Sequence, residues 1–232
     1  MNVLLLEPAE LGDDGQAEVE GRRCEHVRKV LRKGVGEALR VGVVGGSLGE
    51  GVIEAIDRER MRVRCRFGAP PPRKRSVTLV LALPRPPVLR RVLQHATAMG
   101  VAEIVLLHTR RVEKSYWSSP ALEDDAVREQ LILGLEQAVD TVLPAVSREP
   151  RFRPYIEDRL AGRVLVADPS ATTPCPVDVV DPLTLVVGPE GGLIPHELDL
   201  LRAAGGELVG LGPRVLRVET AVVALLARLG LG

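Results

Sequence analysis

Two rhythms of apolar residues run along this chain, and they change over near residue 70. Before it, a strand at residues 3–6 and a short helix at 25–31 lead into brief β-branched segments at 38–44, 51–55 and 62–66. The last of these alternates as Met61-Arg62-Val63-Arg64-Cys65-Arg66, a period of two that turns one face to a core and the other to solvent. Glycine turns such as Gly45-Gly46 punctuate the segments, and the pattern predicts a small β-barrel. After it, apolar strands at 77–83, 104–107, 164–167, 183–187 and 207–211 alternate with helical stretches at 88–99, 122–142, 195–204 and 221–229. Strands that alternate with helices predict a parallel sheet of the α/β class. Between the two lies Ala69-Pro70-Pro71-Pro72-Arg73-Lys74-Arg75, which is stiff and unable to continue a sheet interior. Domains at 1–70 and 76–232 follow.

Composition narrows this further. Aromatic residues make up 2% of the chain against 45% hydrophobic residues in all, so the core must be built from aliphatic side chains. No apolar run approaches the roughly 18 residues of a membrane span, and the first residues lack a basic leader, so a cytoplasmic protein is expected. Cys24, Cys65 and Cys175 are isolated and odd in number, which predicts reduced structural thiols and no metal site. The formal net charge of zero hides an uneven distribution. Residues 1–75 hold 15 Lys and Arg against 12 Asp and Glu, residues 76–114 hold 6 against 2, and residues 115–232 hold 10 against 17.

The candidate chemistry lies in two loops of one grammar. The apolar strand ending at Val187 runs into Gly188-Pro189-Glu190-Gly191-Gly192 before a helix opens at Ile194-Pro195. The strand ending at Leu211 runs into Gly212-Pro213-Arg214-Val215-Leu216-Arg217-Val218-Glu219-Thr220 before the final helix. Ligands in open α/β sheets bind beyond the carboxyl ends of the strands, where glycine lets the backbone approach them. Thr220 is a candidate N-cap of the final helix, and Glu219 suits that helix's N-terminal dipole. There is no P-loop, no strand-linked GxGxxG and no GxSxG elbow, which argues against nucleotide triphosphate, dinucleotide and serine-hydrolase chemistry. None of the four histidines sits in a recognisable motif.

GPEGG followed by LGPRVLRVETA resembles the signature of SPOUT methyltransferases of the RsmE type, and His26-Val27-Arg28-Lys29-Val30-Leu31-Arg32 resembles the H-x-x-x-V-L-R element of that family's PUA-like N-terminal barrel. The resemblance implies a C-terminal α/β domain tied in a deep trefoil knot and an N-terminal PUA-like RNA-binding barrel. It also implies a homodimer, S-adenosylmethionine (SAM) as cofactor and methylation of N3 of a uridine in 16S rRNA of the small subunit. The knot rests on likeness alone, since threaded connections are otherwise very rare. The implied cofactor residues are Leu165, Val166, Ala167, Val187, Gly188, Pro189, Glu190, Gly191, Gly192, Leu211, Gly212, Leu216, Arg217 and Thr220. Arg217 is the candidate cation for charge developing on uracil O2 and O4, and Glu219 and Glu190 are the candidate proton acceptors.

The candidate RNA contacts are Arg22, Arg23, His26, Arg28, Lys29, Arg32 and Lys33, followed by the arginines at 58, 60, 62, 64 and 66. With so few aromatics, RNA would be read mainly by charge and shape. Two departures from the family pattern stand out. Gln94-His95-Ala96-Thr97-Ala98-Met99-Gly100 replaces K-x-x-E-L-G, and Glu136-Gln137-Ala138-Val139-Asp140 replaces E-Q-x-G-R. Other readings remain open: a SPOUT enzyme with a different RNA target, a noncatalytic RNA-binding assembly factor, or a generic α/β hydrolase.

Overall fold

The computed structural model describes residues 1–179 and 182–231; Gly232, the expected end of the second domain, lies outside them. The chain divides into two compact units, Met1–Pro72 with Leu135–Leu143, and Arg73–Gly134 with the residues from Pro144 onward.

The first unit contains β1 (Leu4–Leu6), β2 (Gln16–Glu20), α1 (Gly21–Lys29), β3 (Ala38–Val43), β4 (Leu48–Ile56) and β5 (Arg60–Ala69). They form one five-stranded sheet in the order β1-β3-β4-β5-β2, with β1 parallel to β3 and the other pairs antiparallel. The period-two alternation works as expected. Ala17, Val19, Leu39, Val41, Ile53, Met61, Val63 and Cys65 enter one core with Cys24 and Val27 of α1. Strand β2 was not expected, because Gln16-Ala17-Glu18-Val19-Glu20 offers only two apolar positions. Pairing with β5 buries both. Helix α1 begins earlier than the expected residue 25, since the sheet selects Cys24 and Val27, three apart on one helical face. Burial pushes the Cys65 thiol up to about 11, in keeping with an inert structural cysteine.

The second unit contains β6 (Arg75–Ala82), α2 (Pro86–Ala98), β7 (Val101–Leu107), α3 (Asp124–Ala138), β8 (Ala145–Glu149), α4 (Phe152–Asp158), β9 (Arg163–Ala167), β10 (Leu183–Val187), α5 (Pro195–Ala203), β11 (Glu207–Val209) and α6 (Val218–Arg228); the last residues of α3 count with the first unit. Six strands lie in the order β11-β9-β10-β6-β7-β8, every neighbouring pair parallel. Parallel sheets require cover on both faces. Val80, Val105, Val164, Val166 and Val186 pack with Tyr155 and Ile156 of α4 and Leu201 of α5. Residues of the opposite parity, Leu79, Leu81, Ile104, Leu106, Leu165 and Leu185, are equally buried. Strand β8 and helix α4 escaped the sequence reading because Ala145–Glu149 is a polar edge strand and α4 is only seven residues long.

Helix α3 stops at Ala138, four residues short of expectation. The cause is a left-handed C-terminal turn. The Asp140 N–H donates back to the Leu135 carbonyl at 3.2 Å while Val139 takes a φ of 59°, as in a Schellman motif. The Asp140 carboxylate then accepts the N–H groups of Thr141 and Val142 at 2.6 and 3.0 Å. A β-branched residue is costly at positive φ, and Val139 stands where the resembled family pattern has glycine. Val139→Gly should therefore stabilise the protein by about 1 kcal/mol. The check is a rise in urea midpoint at unchanged m-value.

Candidate active site

An all-parallel sheet delivers every strand's carboxyl end to one edge, and a cavity of about 660 Å³ lies there in the second unit. That is ample for a cofactor-sized ligand. Four strand exits line it: Ala167-Asp168-Pro169 after β9, Val187 to Glu190 with Gly192 and Leu193 after β10, Val209 to Gly212 and Arg214 to Glu219 at the end of β11 and beyond it, and Arg85 after β6. Gly192 has a φ of 71°, the left-handed conformation that its loop needs in order to turn into α5.

Of the residues singled out from sequence, Ala167, Val187, Gly188, Pro189, Glu190, Gly192, Leu211, Gly212, Leu216, Arg217 and Glu219 line the cavity. Leu165 and Val166 do not; they are fully buried in β9, in register with Leu185 and Val186. Gly191 faces Arg111, whose Cδ would lie 3.2 Å from a Cβ at that position. Thr220 is exposed and is not the helix cap, because α6 begins at Val218 with Arg217 as N-cap. Glu219 lies in the first turn of α6, where its charge suits the helix dipole.

Sequence reasoning missed the contribution of α2. Arg85, Pro87, Val88 and Arg91 all line the cavity. The Leu83-Pro84-Arg85-Pro86-Pro87 run reads as a turn, yet it is a strand exit with proline in the first helical turn, the same grammar as the two glycine loops. From α2 two arginines reach the two loops. Arg85 donates from its backbone N–H and from Nε to Glu190 Oε1, both at 3.2 Å. Arg91 Nη1 donates to Glu219 Oε1 at 3.0 Å.

Glu219 is held below the usual carboxylate range, first by a hydrogen bond from its own backbone N–H and then by the Arg91 guanidinium, with Arg217 adding to the effect. An ionised, already bonded carboxylate is a poor proton acceptor, so Glu219 serves as an anchor for its loop. Arg214 and Arg217 are exposed, and their side chains have no ion pair or hydrogen bond among the described residues. The cavity thus presents four arginines against Asp168, Glu190 and Glu219, with the unpaired cations on the β11 side.

Residues 71–230 match the RNA methyltransferase domain family. Across nearly the whole chain, the ribosomal RNA small subunit methyltransferase E of Mycobacterium bovis is 32% identical over 229 residues, covering 92% of this chain and 86% of that protein. The chain belongs to the small subunit methyltransferase E family. The Treponema pallidum member is 28% identical over 239 residues, covering 98% of this chain and 90% of that protein. The fold matches a solved methyltransferase E from Neisseria gonorrhoeae bound to S-adenosyl methionine, with a TM-score of 0.78 at 21% identity, over 98% of this chain and 95% of that one.

Within this methyltransferase E chain, several basic residues of the first unit have partners of their own. Arg22 forms a two-pronged pair with the buried Glu136 carboxylate at 2.8 and 2.9 Å. Arg23 grips Glu10 and donates to the Leu5 carbonyl at 2.6 Å. Lys29 pairs with Glu25, and Lys33 donates to the Ala38 carbonyl. Partial burial holds the His26 imidazole below its ordinary pKa. Arg28 has its Nε buried without a hydrogen-bond partner, and Arg32 lies at a φ of 55°. The outward face of the sheet is balanced in the same way: Arg60 pairs with Glu18 and Arg64 with Glu54, while Arg40 and Arg66 flank Glu50 across the strands.

Two outcomes follow. Arg22→Ala strands the buried Glu136 carboxylate and should cost about 2 kcal/mol, against about 0.5 kcal/mol or less for Arg32→Ala, measured by urea unfolding. For Glu219 the depressed pKa means that its carboxylate stabilises the fold fully above its ordinary value of 4.5 and loses that contribution as pH falls through the folded-state pKa. The difference in urea midpoint between the wild type and Glu219→Gln should be level through neutral pH and shrink only in acid.

Proposed function

We propose that this chain transfers the methyl group of SAM to N3 of a uridine in the 16S rRNA of the small ribosomal subunit. The observation that carries this is the cavity itself, two glycine-bearing strand exits of which the second carries two arginines with no side-chain partner among the described residues, in a chain of the methyltransferase E family. The cavity fits SAM on its own terms. Val187, Leu193, Val209, Leu211, Leu216 and Leu225 offer apolar walls for a purine, and the strand exits add backbone donors and acceptors and the Asp168 carboxylate for polar groups. SAM supplies an electrophilic methyl group on a sulfonium, so the protein's task is to align the nucleophile and exclude water.

Uridine N3 must lose its proton as the bond to methyl forms, and negative charge spreads onto O2 and O4. Arg217, whose side chain has no hydrogen bond or ion pair among the described residues, is placed to meet that charge. Arg214, three residues away, suits an RNA phosphate. Between the two candidate acceptors, Glu190 is the better one. Its Oε1 takes both bonds from Arg85, which leaves Oε2 unbonded among the described residues, whereas Glu219 is held ionised by three donors or cations.

The same reading includes a trefoil knot, a PUA-like RNA-binding first unit, a homodimer and work in the cytoplasm. The knot is supported by the way residues 168–178 interlace with later chain. Cys175 N–H donates to the Gly210 carbonyl, Gly210 N–H to the Thr173 carbonyl, and Asp178 N–H to the Arg228 carbonyl. A Cβ at Gly210 would lie 2.8 Å from the Ala171 carbonyl oxygen, so that crossing needs glycine. The PUA-like assignment is supported by a largely antiparallel five-stranded sheet with register shifts in β4–β5, around a single core. Among the described residues no helix is long and apolar enough to cross a membrane.

The test is methyl transfer from labelled SAM to small subunits that lack the modification, with the product mapped by nuclease digestion and mass spectrometry. A 3-methyluridine in 16S rRNA is expected; a methyl on another nucleotide would overturn the substrate, and SAM binding without transfer would overturn the catalytic role. Arg217→Ala should lower kcat by about 100-fold while SAM affinity stays within a few fold. Parallel loss of both would make Arg217 a cofactor or structural residue.

A further inference from the structure

The chain holds five aromatic residues, and two of them, Tyr116 and Trp117, are adjacent on a single turn of 3-10 helix, Lys114–Ser118. That turn lies in the exit of β7, on the same edge of the sheet as the cavity and next to the β6 exit that supplies Arg85. Three bonds hold the segment in place. Glu197, buried at the start of α5, accepts the Arg110 N–H at 2.7 Å, the Arg111 guanidinium donates to the Gly191 carbonyl, and Trp117 Nε1 donates to His108 Nδ1 at 2.8 Å. The first ties the β7 exit to the start of α5, and the second ties it to the loop after β10, whose Glu190 lines the cavity. Both aromatic side chains are only partly buried, so neither is spent in a core. Tyr116 lies close enough to Glu113, Glu190 and Arg85 for their charges to act on its phenol.

The cavity is lined by the exits of β9, β10, β11 and β6, and the β7 exit is the next one along the same edge, beside β6 and outside that lining. We propose that Tyr116 and Trp117 form a platform on which a base of the RNA substrate, next to the target nucleotide, stacks while that nucleotide enters the cavity past Glu190. This rests on the proposed function and names a substrate-positioning site within it. Stacking on an aromatic face tolerates any base and needs a surface fixed in advance, which the three bonds provide. It also adds to the expectation that RNA is read mainly by charge and shape: aromatics are scarce, yet two of them stand beside the site.

Trp117 is the single tryptophan of the chain, so its emission reports this position alone. Full-length protein saturated with S-adenosylhomocysteine would be titrated with a transcribed RNA of the 16S target region, and methyl transfer to unmodified small subunits would be measured in parallel. The expected results are quenching of Trp117 by the RNA, and for Tyr116→Leu a rise of about tenfold in KM for small subunits with kcat and SAM affinity unchanged. Tyr116→Phe, which keeps the ring, should stay near wild type. A Tyr116→Leu enzyme with wild-type KM, or one that loses SAM affinity in step with activity, overturns the platform; so does wild-type emission that RNA leaves unchanged. If the wild type transfers no methyl at all, the functional reading fails by itself, and the RNA-dependent quench still decides whether bases stack here.

Discussion

The parallel register of the six-stranded sheet is the constraint from which the rest of the second unit follows. Parallel strands require crossovers on the faces and place all their exits on one edge. Because β11, β9, β10 and β6 are neighbours, four segments far apart in sequence meet there. The loops could not hold a ligand unless something fixed them to one another, and α2 does so with opposite charges: Arg85 to the first glycine loop, Arg91 to the second. Each pair is partly exposed and individually weak. Their worth lies in geometry, since two pairs from one rigid helix set the spacing of two loops.

Much of this could be read from the chain itself. The glycine loops announced themselves through position, at the end of apolar strands and ahead of helices, and the structure brings both to one cavity. Arg85 and Arg91 escaped notice because an ion pair between residues 105 or 128 positions apart leaves no local pattern. The end of α3 was misjudged for a related reason. Apolar periodicity continued past Ala138, and the left-handed turn at Val139 is carried by hydrogen bonds to Leu135 and from Asp140 that no periodicity reveals.

The first unit shows how a count of charges misleads. A run containing Arg22, Arg23, Arg28, Lys29, Arg32 and Lys33 reads as a phosphate-binding cluster, yet two of its arginines clasp carboxylates within their own unit. On the outward face of the sheet, acidic residues on β2 and β4 answer the arginines of β5. What is left without a carboxylate partner is a smaller set of exposed cations than the count of charges suggests.

The buried Glu197 carries a consequence for sequence drift. Its two carboxylate oxygens accept separate backbone N–H groups, Arg110 at 2.7 Å and Ile194 at 3.0 Å, which no side chain with a single acceptor oxygen can satisfy together. Glutamine would aim a donor at a donor, and aspartate would fall a methylene short. Position 197 is therefore closed to gradual replacement, although it lies outside both glycine loops and touches nothing that reacts.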